Sequence, residues 1–362
     1  MKGILVSLIP PSSNAVEIEE QIEELKELFR TLGGETLAVL TQKRTPDPAF
    51  LIGRGKVEEL KKLVEDLKAD VVVFNDDLTP RQQVNLEEAL GVKVIDRTQV
   101  IIQIFARRAK TAEAKLQVEL AQLTYELTRL RGRGKELSRL GGGVGTRGPG
   151  EPEIEAERSR IRERIAVLKE KLEEIRNRRE IQRKRRKRAG VFQASIVGYT
   201  NAGKSTLLSA LSGEDVYAED KLFVTLDPLT RRVYLPSGGE ILVTDTVGFI
   251  RKLPHHLVAA FRATLEEVRE SDGLLHVVDV SSYNFFDQID AVNTVLKGLK
   301  SLDKPTIMVF NKIDKLTLEE LEGIKRRIGD RFGDKVVYIS ALKKYNLEEL
   351  YQAMERWFFS GK

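Results

Sequence analysis

A strand, a glycine-rich turn and a helix follow one another from Phe192 onward, and this segment constrains the fold of the 362-residue chain more than any other. The strand reads FQASIVG, and the turn from Gly198 to Thr206 reads GYTNAGKST. Because the turn matches GxxxxGK[ST] between a buried strand and a helix that begins near Lys204, it predicts a phosphate-binding loop. Such a loop is typical of a doubly wound α/β sheet whose strand ends carry the site. We therefore predict a P-loop domain over residues 189–362.

The chemistry of this loop follows from its residue types. Glycines let backbone N–H groups wrap a β-phosphate, Lys204 neutralises β- and γ-phosphate charge, and the Ser205 hydroxyl is a ligand for Mg²⁺. Lys204 is therefore a candidate catalytic residue as well as a binding residue. The predicted binding residues of the loop are Gly198, Tyr199, Thr200, Asn201, Ala202, Gly203, Lys204, Ser205 and Thr206.

Two later segments complete a predicted magnesium and γ-phosphate site. DTVG follows an apolar strand, so that Asp245 is expected to hold Mg²⁺ through water and the Gly248 N–H to sense the γ-phosphate. FVTLDP places Thr225 in a loop of the right length for a first switch; a plain surface threonine is the alternative, which the flanking motifs disfavour. Thr225 and Gly248 are candidate catalytic residues, and Ser205, Thr225 and Asp245 are candidate metal ligands. The two segments contribute Phe223, Val224, Thr225, Leu226, Asp227, Asp245, Thr246, Val247 and Gly248.

The motif NKID, residues 311–314, predicts which nucleotide base is bound; it follows a predicted strand at Thr306 to Phe310. The Asp314 carboxylate can accept hydrogen bonds from guanine N1–H and its exocyclic amine, and adenine offers no such pair of donors. A backbone N–H in the segment SAL, which follows a predicted strand at 335–339, could donate to guanine O6. These motifs predict GTP or GDP as the ligand and hydrolysis of GTP as the reaction. Their residues are Asn311, Lys312, Ile313, Asp314, Ser340, Ala341 and Leu342.

The position after DTVG, where many small GTPases carry a water-orienting glutamine, is Phe249. An aromatic ring cannot orient the water, so we expect slow intrinsic hydrolysis that accelerates when a partner orders the switches. Asn201 has two open interpretations: it helps to bind K⁺ near the phosphates, or it is a turn residue tolerant of left-handed geometry. We interpret His255 and His256 as surface residues at a helix start rather than as catalytic groups.

Residues 1–105 alternate apolar runs with amphipathic stretches, which predicts a small α/β domain with a mainly parallel sheet. We expect its four strands at Gly3–Ile9, Glu35–Gln42, Asp70–Asn75 and Val92–Asp96. The segment LIGRGKVEEL, residues 51–60, contains glycines and an arginine that could support ATP binding. A turn before a helix is the interpretation that its pattern favours.

Residues 106–188 are predicted to form a long antiparallel helical hairpin with a basic, glycine-rich tip at 141–151. Apolar residues recur at coiled-coil spacing from Leu116 to Leu130 and from Ile154 to Ile175. Nine basic residues stand against one acid from Arg176 to Arg188, which suits an RNA partner or a solvated helix face. The tip is either a connecting loop or, as we favour, a segment that approaches nucleic acid closely.

Composition narrows the class of protein further. The chain has no cysteine, which excludes disulfides, thiolate metal sites and cysteine nucleophiles. No stretch approaches the roughly 20 apolar residues that span a bilayer, so we expect no membrane association and a cytoplasmic location. We expect a monomer when the protein is free of partners, although no motif decides the oligomeric state.

The motifs VGYTNAGKSTL, FVTLDP, DTVGFI, NKID and SAL resemble those of translation-factor-class GTPases. With LIGRGKVEEL and GGGVGTRGPGE before a basic coiled coil, the chain from residue 1 to about 358 resembles the HflX family of ribosome-associated GTPases. The resemblance implies binding to the large ribosomal subunit and its RNA, with a role in ribosome splitting, rescue or recycling. Some relatives carry an extra C-terminal domain. We do not expect such a domain after the predicted helix that ends near Phe358, so the resemblance does not extend to the role of that domain. An RNA-binding module regulated by its GTPase domain is the alternative, and the lack of an amphipathic anchor disfavours a membrane or cell-division GTPase.

Overall fold

The computed structural model describes residues 1–11, 15–140, 151–188, 190–214, 222–251, 262–333 and 335–359. The chain divides into two compact units, an N-terminal unit of Met1–Arg107 with Lys115–Leu172 and a C-terminal unit of Arg108–Ala114 with Glu173–Lys362. Each unit has its own sheet, so the predicted mixed α/β class is confirmed. No helix among the described residues is long and apolar enough to cross a membrane.

The N-terminal unit is built on a parallel sheet with strand order β2-β1-β3-β4, and its four predicted strands are confirmed. Its elements are β1 (Lys2–Ile9), α1 (Ala15–Thr31), β2 (Glu35–Lys43), α2 (Arg54–Leu67), β3 (Val71–Phe74), α3 (Pro80–Leu90), β4 (Lys93–Asp96) and α4 (Arg97–Arg108). All four residues of β3 and seven of the eight in β1 are buried, as expected for central strands covered on both faces. The helix α2 follows a turn with Leu51 at a φ of 64°, so LIGRGKVEEL forms a turn before a helix.

Two long helices, α5 (Ala112–Leu140) and α6 (Glu151–Arg188), confirm the predicted hairpin. Within the N-terminal unit, Arg164 Nε lies 2.7 Å from Glu119 Oε1 on the other helix. The middle of α5 is tied to the sheet of the N-terminal unit, because Arg129 forms an ion pair with buried Asp96, which also accepts a 3.1 Å hydrogen bond from the Tyr125 hydroxyl. Burial raises the pKa of Asp96. Residues 141–150 of the predicted tip lie outside the described residues.

The C-terminal unit contains a six-stranded sheet of order β10-β9-β8-β5-β7-β6, in which only β6 runs antiparallel to its neighbour. Its strands are β5 (Phe192–Gly198), β6 (Leu229–Tyr234), β7 (Glu240–Asp245), β8 (Gly273–Asp279), β9 (Thr306–Asn311) and β10 (Val336–Tyr338). Its described helices are α7 (Lys204–Ser212), α8 (Arg262–Glu270), α9 (Phe285–Gly298), α10 (Leu318–Phe332) and α11 (Leu347–Phe359). Because the strands other than β6 are parallel, their carboxyl ends share one edge, and the predicted motifs follow directly from that edge.

One buried histidine makes the stability of this unit depend on pH. His276 lies in β8 and is 2% exposed, and burial, aided by the positive charge of Lys204, lowers its pKa to about 3. Between that pKa and the unfolded value of roughly 6.5, the unfolded chain binds more protons than the folded chain. The stabilisation by neutral His276 is therefore complete above the unfolded pKa and decreases as pH falls below it.

We expect the free energy of unfolding of the C-terminal unit to fall by roughly 2 kcal/mol more in the wild type than in His276→Leu between about pH 7.5 and about pH 5. The single tryptophan, Trp357, lies in α11, so urea unfolding followed by its fluorescence reports on this unit. Equal losses in wild type and variant would show that His276 does not cause this pH dependence.

Candidate functional site

The phosphate-binding loop, the Thr225 segment and DTVG converge on one cavity at the carboxyl edge of the C-terminal sheet. The loop connects β5 to α7, and DTVG begins at the last residue of β7. The cavity measures about 50 Å³. It is lined by the predicted residues Thr200, Asn201, Gly203, Lys204, Ser205, Thr206, Phe223, Val224, Thr225, Thr246 and Gly248.

Glycine is required at two positions of this cavity. Gly203 has a φ of 94°, and a Cβ there would lie 2.3 Å from the Asn311 side-chain amide. A Cβ on Gly248 would lie 2.8 Å from Thr200 Cα and 2.9 Å from Lys204 Nζ. The backbone of Gly248 therefore lies directly against the phosphate-binding loop, where its N–H can face a bound terminal phosphate.

Lys204 provides the buried positive charge of the cavity. It is 7% exposed, and its Nζ donates a 2.7 Å hydrogen bond to the Tyr199 carbonyl. Burial lowers its pKa to about 8, while the carboxylate of Asp245 acts in the opposite direction. A lysine that is buried at such a cost is suited to an anionic ligand, whose charge would stabilise the ammonium form.

A cluster of oxygen atoms lies beside the lysine. The hydroxyls of Ser205 and Thr225 lie 2.7 Å apart, and they donate to Asp245 Oδ2 at 2.7 and 2.8 Å. The other carboxylate oxygen, Asp245 Oδ1, and the hydroxyl of Thr200 are buried and have no hydrogen-bond partner among the described residues. Burial raises the pKa of Asp245. Hard oxygen donors with unmet bonding capacity fit a magnesium ion better than a softer metal.

Asn311 has a role that the motif alone did not indicate. Its side chain is 2% exposed, donates to the Ala202 carbonyl at 2.9 Å and accepts from the Ala341 N–H at 2.9 Å. Lys312 likewise donates to the Asn201 carbonyl at 2.7 Å and forms a 2.7 Å ion pair with Asp279. NKID therefore joins the phosphate-binding loop to the segment SAL.

Asp314 is the residue of NKID whose carboxylate could accept hydrogen bonds from a nucleotide base. One of its oxygens accepts a hydrogen bond of 2.5 Å from the Ser340 hydroxyl, which orients the carboxylate. Since the Ala341 N–H already bonds to Asn311, the next backbone N–H, that of Leu342, is the better candidate donor to a base oxygen. Leu342 itself is 70% exposed, and Ile313 forms the first residue of a short 3₁₀ turn.

Other predicted residues lie away from the cavity or support it from behind. The ring of Phe249 is 1% exposed, and its backbone exchanges hydrogen bonds with Gly198 and Thr200, so this residue supports the phosphate-binding loop. Leu226 is buried, and Asp227 accepts hydrogen bonds from Lys110 and Thr111 instead of lining the cavity.

The remaining predictions concern Asn201, Val247 and the two histidines. Asn201 lines the cavity with a φ of 61°, which is the left-handed geometry that the turn interpretation requires. Val247 is buried within DTVG. His255 and His256 lie outside the described residues.

Three family descriptions match successive parts of the chain. They are "GTP-binding GTPase N-terminal" over residues 19–106, "GTP-binding GTPase Middle Region" over 108–186 and "50S ribosome-binding GTPase" over 193–312. The chain is 52% identical to "GTPase HflX" of Caldanaerobacter subterraneus subsp. tengcongensis, covering 99% of this chain and 81% of that protein. It is 44% identical to "GTPase HflX" of Escherichia coli, covering 92% and 78%.

Solved structures with the same fold include two complexes with GDP. A structure described as "SsGBP and GDP complex" is 27% identical, with a TM-score of 0.54 and 99% of each chain covered. A GTP-binding protein from the hyperthermophilic archaeon Sulfolobus solfataricus, also with GDP, has a TM-score of 0.51 at 24% identity over 100% of each chain. The similarity extends over both units of the chain.

Proposed function

Because this chain belongs to the HflX family of GTPases, we propose that it is a GTP-dependent switch of the large ribosomal subunit, acting in ribosome splitting, rescue or recycling. The observation that carries this proposal is the match of residues 193–312 to the 50S ribosome-binding GTPases, over the segment that forms the phosphate cavity. The basic run from Arg176 to Arg188 supports ribosomal RNA as the contacted surface, since phosphates attract such runs whatever their sequence.

In the proposed complex, GTP occupies the cavity with its phosphates on the backbone of the loop from Gly198 to Thr206. Lys204 would balance phosphate charge, and the Thr200 hydroxyl, which has no hydrogen-bond partner in the part of the chain that the structure describes, would donate to a phosphate oxygen. Asp314 would accept the two guanine donors, while the Leu342 N–H would donate to O6. Asn311 and Lys312 bond to the phosphate-binding loop from within NKID, so the segments that would bind the base and the phosphates are connected directly to each other.

Mg²⁺ is the cofactor that we propose for the Ser205, Thr225 and Asp245 cluster. When bound, Mg²⁺ would neutralise charge that develops on the β- and γ-phosphate oxygens. The protein residues would have two further roles. Lys204 would stabilise phosphate charge, and the segments of Thr225 and Gly248 would change conformation according to whether a γ-phosphate is present. We also propose that Asn201 helps to bind K⁺ near the phosphates, and we therefore expect faster turnover in K⁺ than in Na⁺ buffer; equal rates in the two buffers would leave Asn201 as a turn residue only.

We propose that the free protein hydrolyses GTP slowly, because the ring of Phe249 is buried and cannot orient an attacking water. The ribosome would then accelerate hydrolysis by ordering the two segments that carry Thr225 and Gly248. GTP would favour the subunit-bound conformation, and hydrolysis would permit release.

The test is GTP turnover by the full chain with and without large ribosomal subunits. We expect strong stimulation by large subunits and none by small subunits at the same concentration. Turnover that saturating large subunits leave unchanged, with GTP binding intact, would contradict the ribosomal role. Stimulation by bare RNA to the same extent would favour a general RNA-binding module instead.

A further inference from the structure

The loop that carries Thr225 ends at Asp227, whose side chain is hydrogen-bonded to residues far away in the sequence. Asp227, two residues after Thr225, accepts from the backbone N–H groups of Lys110 and Thr111 at 3.4 and 3.3 Å. It also accepts a short hydrogen bond from the Thr111 hydroxyl. All of these residues belong to the C-terminal unit, because Arg108–Ala114 is part of it.

Thr111 is the N-cap of helix α5. Its hydroxyl oxygen accepts a 3.1 Å hydrogen bond from the Ala114 N–H while its proton is directed to Asp227. The positive end of the helix dipole and two N–H groups therefore face the Asp227 carboxylate, an arrangement that favours a negative charge.

The segment that carries Thr111 is anchored firmly. Glu113, two residues later, forms a 2.6 Å ion pair with Arg179 of α6, and its side chain is 13% exposed. Arg176 of the same helix forms a 3.0 Å ion pair with Glu266 of α8. These contacts make the start of α5 a fixed point against which a loop can be held.

The Thr225 loop, residues 222–228, needs such a fixed point. Phe223 has a φ of 54°, a left-handed conformation that a bulky aromatic residue rarely adopts unless its surroundings enforce it. Phe223 and Leu226 are buried on either side of Thr225, at 2% and 3% exposure. Release of Asp227 would therefore let the loop relax and carry the Thr225 hydroxyl away from Ser205 and Asp245.

We propose that Thr111 is a positioning residue for GTP hydrolysis, which holds the Thr225 loop in register with the phosphate cavity through Asp227. The proposal rests on the proposed role of Thr225 at the γ-phosphate and Mg²⁺. It adds a requirement outside the sequence motifs: the start of α5 must be in place for the cavity to be complete.

The test compares three variants at this contact with one matched control, all made in the full chain. Thr111→Ser keeps both the cap and the donor to Asp227. Thr111→Asp keeps a good N-cap but replaces the hydroxyl donor with a carboxylate that repels Asp227; it therefore works against the two backbone N–H bonds that remain and spares the helix. Asp227→Ala breaks the same contact from the other side. Thr124→Val is the matched control, because it removes from the same helix a hydroxyl that bonds to the Leu120 carbonyl within that helix.

We expect Thr111→Asp and Asp227→Ala to lower kcat for GTP roughly tenfold and to raise the Mg²⁺ concentration needed for half-maximal turnover. GDP affinity should stay within about twofold of wild type, because the contact acts through Thr225 and not through the base or the β-phosphate. Thr111→Ser and Thr124→Val should retain wild-type kcat, and the two disruptive changes combined should cost no more than either alone. Urea unfolding followed by Trp357 fluorescence separates these effects from a loss of folding.

Thr225→Ala, measured beside them, separates the positioning role of Thr111 from the proposed role of Thr225 itself. If Thr225→Ala lowers kcat and Thr111→Asp does not, the positioning role of Thr111 is overturned while the proposed role of Thr225 stands. If Thr225→Ala itself leaves kcat and Mg²⁺ dependence unchanged, the proposed role of Thr225 fails, and the inference drawn from it fails with it.

Discussion

Replacing Asp314 by asparagine is expected to weaken GTP binding by about three orders of magnitude and to strengthen binding of xanthosine triphosphate. The carboxylate accepts two guanine donors, and each hydrogen bond to a charged group is worth roughly 1.5–3 kcal/mol. An asparagine side chain would present its N–H donors to the guanine donors, so that both remain unpaired. Xanthine carries a carbonyl oxygen where guanine carries its exocyclic amine, and that oxygen can accept from the asparagine N–H.

The measurement is competition between GTP and xanthosine triphosphate for a fluorescent guanine nucleotide. Asp290→Asn is the matched control, because its carboxylate pairs with Arg331 at the surface of the same unit and should not affect nucleotide choice. Ser340→Ala should have an intermediate effect, since its hydroxyl only orients Asp314. GTP affinity retained in Asp314→Asn would place the guanine-reading group elsewhere.

Ser205→Ala is expected to reduce GTP turnover by at least about a hundredfold and to shift the Mg²⁺ dependence to higher concentration. The serine hydroxyl contacts both Thr225 and Asp245, and its loss removes one proposed metal ligand and opens the oxygen cluster. Loss of a partner that only orients a ligand already costs roughly 10–100-fold in metal affinity, and a ligand should cost more.

Turnover measured across a magnesium titration, with GDP affinity determined in parallel, tests this expectation. Ser209→Ala is the matched control, because Ser209 lies one turn further along α7 and bonds to the Glu214 carbonyl, away from the cavity. If Ser205→Ala has the same magnesium dependence as wild type, the metal does not bind at this cluster.

The sequence predicted those parts of the protein in which local pattern and chemistry coincide. The strand, glycine turn and helix around Lys204 are contiguous, so one segment of the chain specifies both the backbone geometry and the buried lysine. Likewise, DTVG and NKID follow strands whose burial is evident as apolar runs, and parallel strand order brings their ends to one edge.

Elements with ambiguous patterns were assigned less completely. No element was predicted for Arg97–Arg108, which forms helix α4, because its run VIIQIF has neither a clear helical nor a clear strand period. The antiparallel edge strand Leu229–Tyr234 also had no prediction, since its polar residues resemble a loop.

Contacts between distant segments could not be read from sequence. The bond from Asn311 to the Ala202 carbonyl spans 109 positions, and the bond from Thr111 to Asp227 spans 116. In both cases the side chain has a common local role, as a motif residue or a helix cap, and only the tertiary arrangement supplies its second partner. Asp227 was predicted to contact nucleotide from its position beside Thr225, and the fold instead directs its carboxylate to α5.

We propose above that nucleotide state controls binding of the protein to the large ribosomal subunit. The most direct measurement is co-sedimentation of the full chain with purified large subunits, in a non-hydrolysable GTP analogue and in GDP, with small subunits as the comparison. We predict tight binding to large subunits with the analogue, weaker binding with GDP and little binding to small subunits. Equal binding in the two nucleotides, or no preference for the large subunit, would contradict nucleotide-controlled binding to the large subunit.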